Sequence, residues 1–94
     1  KLNLNNIVGP ALAVSPTEMT ATGSAGTAKI NAGRVEMTIN NPLVTENSLI
    51  YITPTSNTQN QVLYLLRQVP EESFTVGIQN PSAVEIPFNW IIVN

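Results

Sequence analysis

The last ten residues of the chain, EIPFNWIIVN, place apolar side chains on both faces of any strand that they form. Successive side chains of a strand point to opposite faces, so alternate residues share a face. One face holds Ile86, Phe88, Trp90 and Ile92. Ile91 and Val93 lie on the other face, so at this end of the chain neither face suits water.

Two earlier segments show the same two-sided pattern. Residues 48–53 have Leu49 and Tyr51 on one face and Ile50 and Ile52 on the other. Residues 62–69 (VLYLLRQV) have one face made of Val62, Tyr64 and Leu66 and the other made of Leu63, Leu65 and Arg67. Each of these strands needs cover on both sides.

A chain of 94 residues hides only about 60–65% of the surface that its unfolded form exposes. One copy is too small to cover both faces of three such strands, and an exposed apolar surface is typical of a partner site. The simplest partner is another copy of the chain around a closed axis. We predict an oligomer interface that contains Ile50, Ile52, Leu63, Leu65, Ile91 and Val93. The alternative is that the first 27 residues cover the second face.

The remaining segments have the pattern of ordinary half-buried strands. Ala28 and Ile30 alternate with polar residues, residues 35–39 do the same, and Ala32-Gly33 between them predicts a hairpin. Residues 74–78 form a second strand of this kind. No apolar spacing of three and four residues persists as it would in a helix. The sequence therefore predicts an all-β fold, a small antiparallel, jelly-roll-like β-sandwich over residues 28–94.

Residues 1–27 differ from the rest. The stretch TATGSAGT (20–27) is rich in small residues and resembles a linker, and the chain starts at Lys1 instead of Met. We therefore expect residues 1–27 to be a lead-in arm or linker from an upstream stalk, contributing an arm or an edge strand.

Composition narrows the classes of function. Only 11% of the residues are charged, the formal net charge is −2, and no run of Lys or Arg is available to follow a phosphate backbone. We expect no nucleic-acid binding and, from the short apolar runs, no membrane insertion. Low charge with many neutral polar residues suits an extracellular β protein.

The sequence has no His and no Cys, so it lacks the commonest general base, the soft metal ligands and the thiol nucleophile. Its acids are six glutamates without any aspartate, which does not encode a calcium loop. Glu71-Glu72 is read as a hairpin turn, with a calcium ligand pair as the less favoured alternative. We expect no enzyme activity, no metal and no cofactor.

A loop of amides offers a different chemistry. Residues 57–61 (NTQNQ) carry paired donors and acceptors that suit sugar hydroxyls. Aromatic side chains stack on the apolar faces of sugar rings. Candidate glycan-binding residues are Tyr51, Asn57, Gln59, Asn60, Tyr64 and Trp90. The alternative is an ordinary exposed loop, with the aromatic residues as core or interface anchors.

Four segments carry a family likeness. GTAKINAG (26–33), VTENSLIYITPTS (44–56), SFTVGI (73–78) and FNWIIVN (88–94) follow one another in this order. Together they resemble a C-terminal module of phage tail fibres and tailspikes and of fibre-like proteins from bacterial genomes. The likeness spans about residues 23–94, and its motifs are strands and turns without catalytic residues. The chain departs from the pattern in its lead-in and in VPEES (69–73).

The resemblance implies a small β-sandwich that closes a homotrimeric fibre or tailspike. The expected function is then non-catalytic trimerisation and capping of the fibre end, on a virion or outside the cell, with a cell-surface fibre as the alternative location. Such modules sometimes have a receptor-binding role in host attachment. A tip that binds a cell-surface carbohydrate or receptor is therefore the alternative function.

Overall fold

The computed structural model describes residues 17–94, and this part of the chain consists of strands without any helix. The seven strands are β1 (Glu18–Thr20), β2 (Ala25–Ile30), β3 (Glu36–Asn40), β4 (Leu49–Pro54), β5 (Tyr64–Val69), β6 (Ser73–Gly77) and β7 (Ile86–Val93). The prediction of an all-β fold is confirmed.

The strands form two sheets. One has four strands in the order β1-β3-β6-β5, and the other has three strands in the order β2-β7-β4. All neighbours are antiparallel except β1 and β3, which run parallel. A parallel pair needs a crossover connection, and here β2 is that crossover, because it lies in the other sheet. The first sheet is therefore mixed, whereas the sequence predicted antiparallel pairing throughout.

The predicted hairpin around Ala32-Gly33 is wrong. β2 pairs with β7 and β3 pairs with β6, so the turn carries the chain from one sheet to the other. Gly33 has a positive φ of 81°, which costs glycine no steric strain. Its N–H donates to the carbonyl oxygen of Ser82 at 2.8 Å. Local alternation identified both strands, but the hydrogen-bond partners lie far away in sequence.

The two sheets share one core. β7 is its centre and alternates as predicted, with every second side chain buried from Ile86 to Ile92. The ring of Trp90 packs edge-on against Phe74 of the opposite sheet, with centroids 5.3 Å apart and planes at 65°. The buried apolar residues are Ile30, Met37, Ile39, Val44, Phe74, Val76, Ile78, Ile86, Phe88, Trp90 and Ile92.

β6 is buried along its whole length, whereas its alternation predicts a half-buried strand. It lies between β3 and β5, and Thr75 on its outer side is completely buried. The Thr75 hydroxyl pairs with the Thr38 hydroxyl at 2.9 Å and accepts from Nη1 of Arg67 at 3.3 Å. Polar contacts across the sheet therefore enclose a side that the sequence pattern assigns to solvent.

β5 and β6 form a hairpin through Pro70, Glu71 and Glu72, as the sequence predicts. Glu71 has a φ of 63°, and Glu72 N–H donates to the Val69 carbonyl at 3.0 Å. The pairing shifts between Leu65 and Arg67, as in a β-bulge.

The bulge changes which side chains of β5 share a face. Tyr64 stands opposite Gly77 and Arg67 stands opposite Thr75. Gly77 and Thr75 are two residues apart, so Arg67 shares the face of Tyr64. The predicted strict alternation, with Arg67 beside Leu65, is therefore wrong.

Regular structure starts before the predicted boundary at residue 28. β1 and the first half of β2 fall within the predicted lead-in, and β1 is an edge strand of the four-stranded sheet. Residues 1–16 of that lead-in, and the predicted arm, lie outside the described residues.

Candidate interaction surfaces

Four large apolar side chains lie side by side on the outer side of the three-stranded sheet. Leu49 stands opposite Val93, and Tyr51 stands opposite Ile91. Their exposed fractions are 57% for Leu49, 41% for Val93, 55% for Tyr51 and 44% for Ile91. Residues directly opposite on one face have Cβ atoms about 4.5–5.5 Å apart. We call this block of four the apolar face.

The apolar face covers only part of its sheet. Moving along β4 and β7, the next outward pair is Thr53 and Asn89, both exposed. Lys29 of β2, also outward, bonds Glu85 with Nζ 2.9 Å from Oε2. The outer side of the sheet therefore changes from apolar to polar beyond the Tyr51–Ile91 pair.

The predicted interface residues divide between two sides. Ile91 and Val93 belong to the apolar face. Ile50 and Ile52 instead pack against the core of their own chain, as does Leu63, so their assignment to an outward face is corrected. A strand that packs one face on a core leaves only its other face outside, and in β4 the outward residues are Leu49 and Tyr51. Leu65 is 36% exposed on the edge strand β5.

A polar pocket of about 380 Å³ lies between the loop that precedes β5 and the loop that follows β6. Its lining is Gln59, Asn60, Gln61, Val62, Tyr64, Gln79 and Asn80. We call it the amide pocket, because five of these seven side chains end in a carboxamide. Within the described part of the chain, no Lys, Arg or Glu lines it.

Two hydrogen bonds clamp the two loops of the amide pocket together. Nε2 of Gln61 donates to the Asn80 carbonyl at 2.5 Å, and Asn80 N–H donates to Oε1 of Gln61 at 3.0 Å. Both the amide nitrogen and the amide oxygen of Gln61 thus bond to the backbone of Asn80. Its position relative to the other loop is set by this pair.

Two consecutive lining residues of the amide pocket have left-handed backbone. Gln59 and Asn60 have φ values of 56° and 64°, a conformation that costs roughly 1–3 kcal/mol for a residue with a side chain, though less for Asn. Oδ1 of Asn57 accepts from Gln59 N–H at 2.7 Å, and Gln61 N–H donates to the Thr58 carbonyl at 3.1 Å. These bonds hold the turn in place.

The structure separates the candidate glycan-binding residues. Gln59, Asn60 and Tyr64 meet in the amide pocket. Asn57 supports the turn, as described above, and Tyr51 belongs to the apolar face. Trp90 is only 2% exposed and packs in the core, so its assignment as a sugar platform is corrected.

Sequence reasoning missed part of the amide pocket. Gln79 and Asn80 follow β6 directly and reach the pocket from the other loop. Their sequence signal is a pair of amides at the end of a strand. That signal is indistinguishable from an ordinary turn until the fold brings the two loops together.

A second depression of about 440 Å³ opens between β1, an edge strand of the four-stranded sheet, and β2 of the other sheet. Its apolar lining includes Met19, Ala28 and Met37, and Glu18 and Lys29 also line it. It is a gap between the sheets, bordered by one acid and one base.

Charged groups are sparse on these surfaces. Nη1 of Arg67 lies 3.7 Å from Oε2 of Glu36 on the outer side of the four-stranded sheet. Within residues 17–94, no group of three or more acidic, His or Cys side chains is arranged to hold a metal ion. The same part of the chain contains no helix long and apolar enough to cross a bilayer.

Comparison with known proteins adds no assignment. No family model matches the sequence, and no curated protein or solved structure is significantly similar to it. The likeness to fibre modules therefore rests on the four segments quoted in the sequence analysis.

Proposed function

We propose that the chain is a non-catalytic assembly module that forms a homotrimer and closes the end of a fibre- or tailspike-like protein. The observation that carries the proposal is the apolar face, with Leu49, Tyr51, Ile91 and Val93 side by side and each about half exposed. The setting, on a virion or outside the cell, comes from the resemblance to fibre modules.

The free energy available from covering this face is substantial. Full burial of a large apolar side chain is worth about 1.5–3 kcal/mol, and each of these four still exposes 41–57% of its surface. Covering them yields roughly 1 kcal/mol each, or about 4 kcal/mol per copy, before the entropy cost of association. In a trimer around one axis, each of the three copies has its apolar face covered by a neighbour.

The chemistry of the face favours a copy of the same chain as its occupant. None of its four side chains carries a charge, so nothing in it selects a partner of opposite charge. An uncharged apolar face packs against its own symmetry mates without repulsion. Tyr51 supplies an aromatic anchor of the kind that concentrates binding energy at interfaces.

The non-catalytic part of the proposal rests on the side chains that are present. The chain has neither His nor Cys, and these are the groups most often used as a base or nucleophile near neutral pH. Part-buried polar contacts such as the Thr38–Thr75 hydroxyl pair join strands within the sheet. Such contacts stabilise the module, and neither hydroxyl of this pair is bonded to a base that could activate it.

Light scattering coupled to size-exclusion chromatography tests the proposal. We expect a mass near three times that of the 10.1 kDa chain, falling toward one chain only on dilution. A mass of one chain at every concentration would refute assembly. A stable dimer would refute the threefold arrangement. The apolar face would then pair two copies around a twofold axis.

A further inference from the structure

We propose that the amide pocket is a binding site for a neutral saccharide of one or two rings. The proposal does not depend on self-assembly, because the two surfaces are built from different parts of the chain. The apolar face begins at Leu49, the first residue of β4, whereas the pocket is formed by the loop that follows β4 and the loop that follows β6.

The free amides of the pocket match the hydrogen-bonding pattern of sugar hydroxyls. The side chains of Gln59, Asn60, Gln79 and Asn80 make no hydrogen bond within residues 17–94 and are exposed. A carboxamide offers donors and an acceptor side by side, and a hydroxyl is both donor and acceptor. Four such amides around one cavity can pair with several hydroxyls of one ring.

The pocket also presents an apolar wall. Val62 is 77% exposed and Tyr64 is 43% exposed beside the amides. A sugar ring has an apolar C–H face, and a tyrosine ring covers such a face while its hydroxyl stays available for hydrogen bonding. The combination of an apolar wall with a few polar groups is typical of small-molecule sites.

Hydrogen bonds within the chain hold the two loops of the site together. Gln61 is bonded twice to the Asn80 backbone, and Asn57 holds the Gln59 turn, so the two loops do not have to be arranged by the ligand. Preorganisation of this kind lowers the entropy cost of binding. The same turn contains two adjacent left-handed residues, Gln59 and Asn60. Backbone strain of this kind persists only where surrounding bonds hold it.

Charge and size restrict the ligand. Among residues 17–94, no Lys, Arg or Glu lines the pocket, so a charged ligand would lose hydration without gaining an opposite charge from these residues. The volume of about 380 Å³ lies at the small end of the usual range of roughly 300–1,000 Å³ for ligand sites. A neutral monosaccharide or disaccharide satisfies both limits.

Nuclear magnetic resonance on the ¹⁵N-labelled 94-residue chain tests the proposal. The probes are glucose, galactose, mannose, N-acetylglucosamine and disaccharides made from them, each titrated separately. We expect at least one probe to give saturable shifts in the side-chain NH₂ signals of the pocket. The signals that report are those of Gln59, Asn60, Gln79 and Asn80.

Two variants remove amides without disturbing the fold. Asn60→Gly keeps the left-handed backbone, for which glycine is suited, and Gln79→Ala changes an exposed side chain. Each should weaken binding of the responding sugar about 2- to 12-fold, the factor for one neutral hydrogen bond. Tyr64→Ala should weaken it as well, whereas the matched control Tyr51→Ala, which removes an exposed tyrosine of the apolar face, should not.

Three results would each overturn the site. They are the absence of saturable shifts with every sugar, shifts centred on Tyr51 instead of the pocket, and unchanged affinity in both Asn60→Gly and Gln79→Ala. Repeating the titration with Ile91→Glu separates this proposal from assembly. Sugar affinity should be the same whether that variant is one chain or three.

Discussion

Gly26 of β2 stands directly opposite Trp90 of β7, and a Cβ added at Gly26 would lie 2.8 Å from Cζ2 of the indole. The indole of the core therefore occupies the space that any other residue at position 26 would fill. Gly26 is required by this close approach, because its φ lies outside the left-handed region that favours glycine.

The first prediction concerns this contact. Gly26→Ala should lower the free energy of unfolding by about 1–3 kcal/mol, the usual cost of overpacking a core. Urea unfolding followed by far-UV circular dichroism measures the change, because this signal is also available in variants that lack Trp90, the single tryptophan.

Gly23→Ala is the matched control, since its nearest atom would be 3.7 Å away. It should change stability by no more than about 0.5 kcal/mol. Trp90→Phe should restore part of the loss in the Gly26→Ala background, giving a coupling above about 0.5 kcal/mol. Strictly additive effects would show that the indole is not the obstacle.

The second prediction concerns the hydroxyl pair between β3 and β6. Thr75→Val keeps the shape of a completely buried side chain and leaves the Thr38 hydroxyl without this partner. Nη1 of Arg67 loses one acceptor but keeps its ion pair with Glu36. We expect a loss of about 1–2 kcal/mol in thermal or urea unfolding, because an orphaned polar group costs more than a replaced pair.

Two further variants test the cause. Adding Thr38→Val to Thr75→Val should recover part of the loss, since both hydroxyls are then absent. Thr53→Val, on the exposed outer side of β4, should be neutral within about 0.5 kcal/mol. If the double variant were less stable than Thr75→Val alone, the hydroxyl pair would not be the source of the effect.

The third prediction concerns Asn41, a completely buried amide after β3. Its Nδ2 donates to the Gly23 carbonyl at 2.7 Å and its Oδ1 accepts from Leu43 N–H at 2.9 Å, so it joins two loops. Asn41→Ala should cost roughly 2–4 kcal/mol, because both backbone groups lose their partner. Asn47→Ala, an exposed neighbour, is the control, and comparable losses in the two variants would contradict the role of Asn41.

The fourth prediction addresses the apolar face. Ile91→Glu should reduce the light-scattering mass to one chain without unfolding it, because symmetry mates would have to bury unpaired carboxylates. Asn89→Glu places the same charge two residues away on the same side of β7, at the polar end of the sheet. It should leave the mass unchanged. An oligomer that survives Ile91→Glu would exclude this face from the interface.

Much of the fold is local enough to be predicted. The alternation of β7 predicted the buried set from Ile86 to Ile92, and the charged turn Glu71-Glu72 is the hairpin turn between β5 and β6. Side-chain direction in a regular strand has a period of two, so the residues that share a face follow from the sequence once a strand without a bulge is identified. The all-β class and the outward position of Ile91 and Val93 were determined in this way.

Only the tertiary structure decided which face of β4 is outside and which strands are neighbours. Leu49 and Ile50 are equally apolar, and the packing of β4 on the core turned Ile50 inward. The Ala32-Gly33 turn joins two sheets because β2 and β3 find partners that are distant in sequence. The amide pocket likewise needs Gln79 and Asn80 from a second loop. Such contacts depend on the summed packing of the whole chain, which no short segment contains.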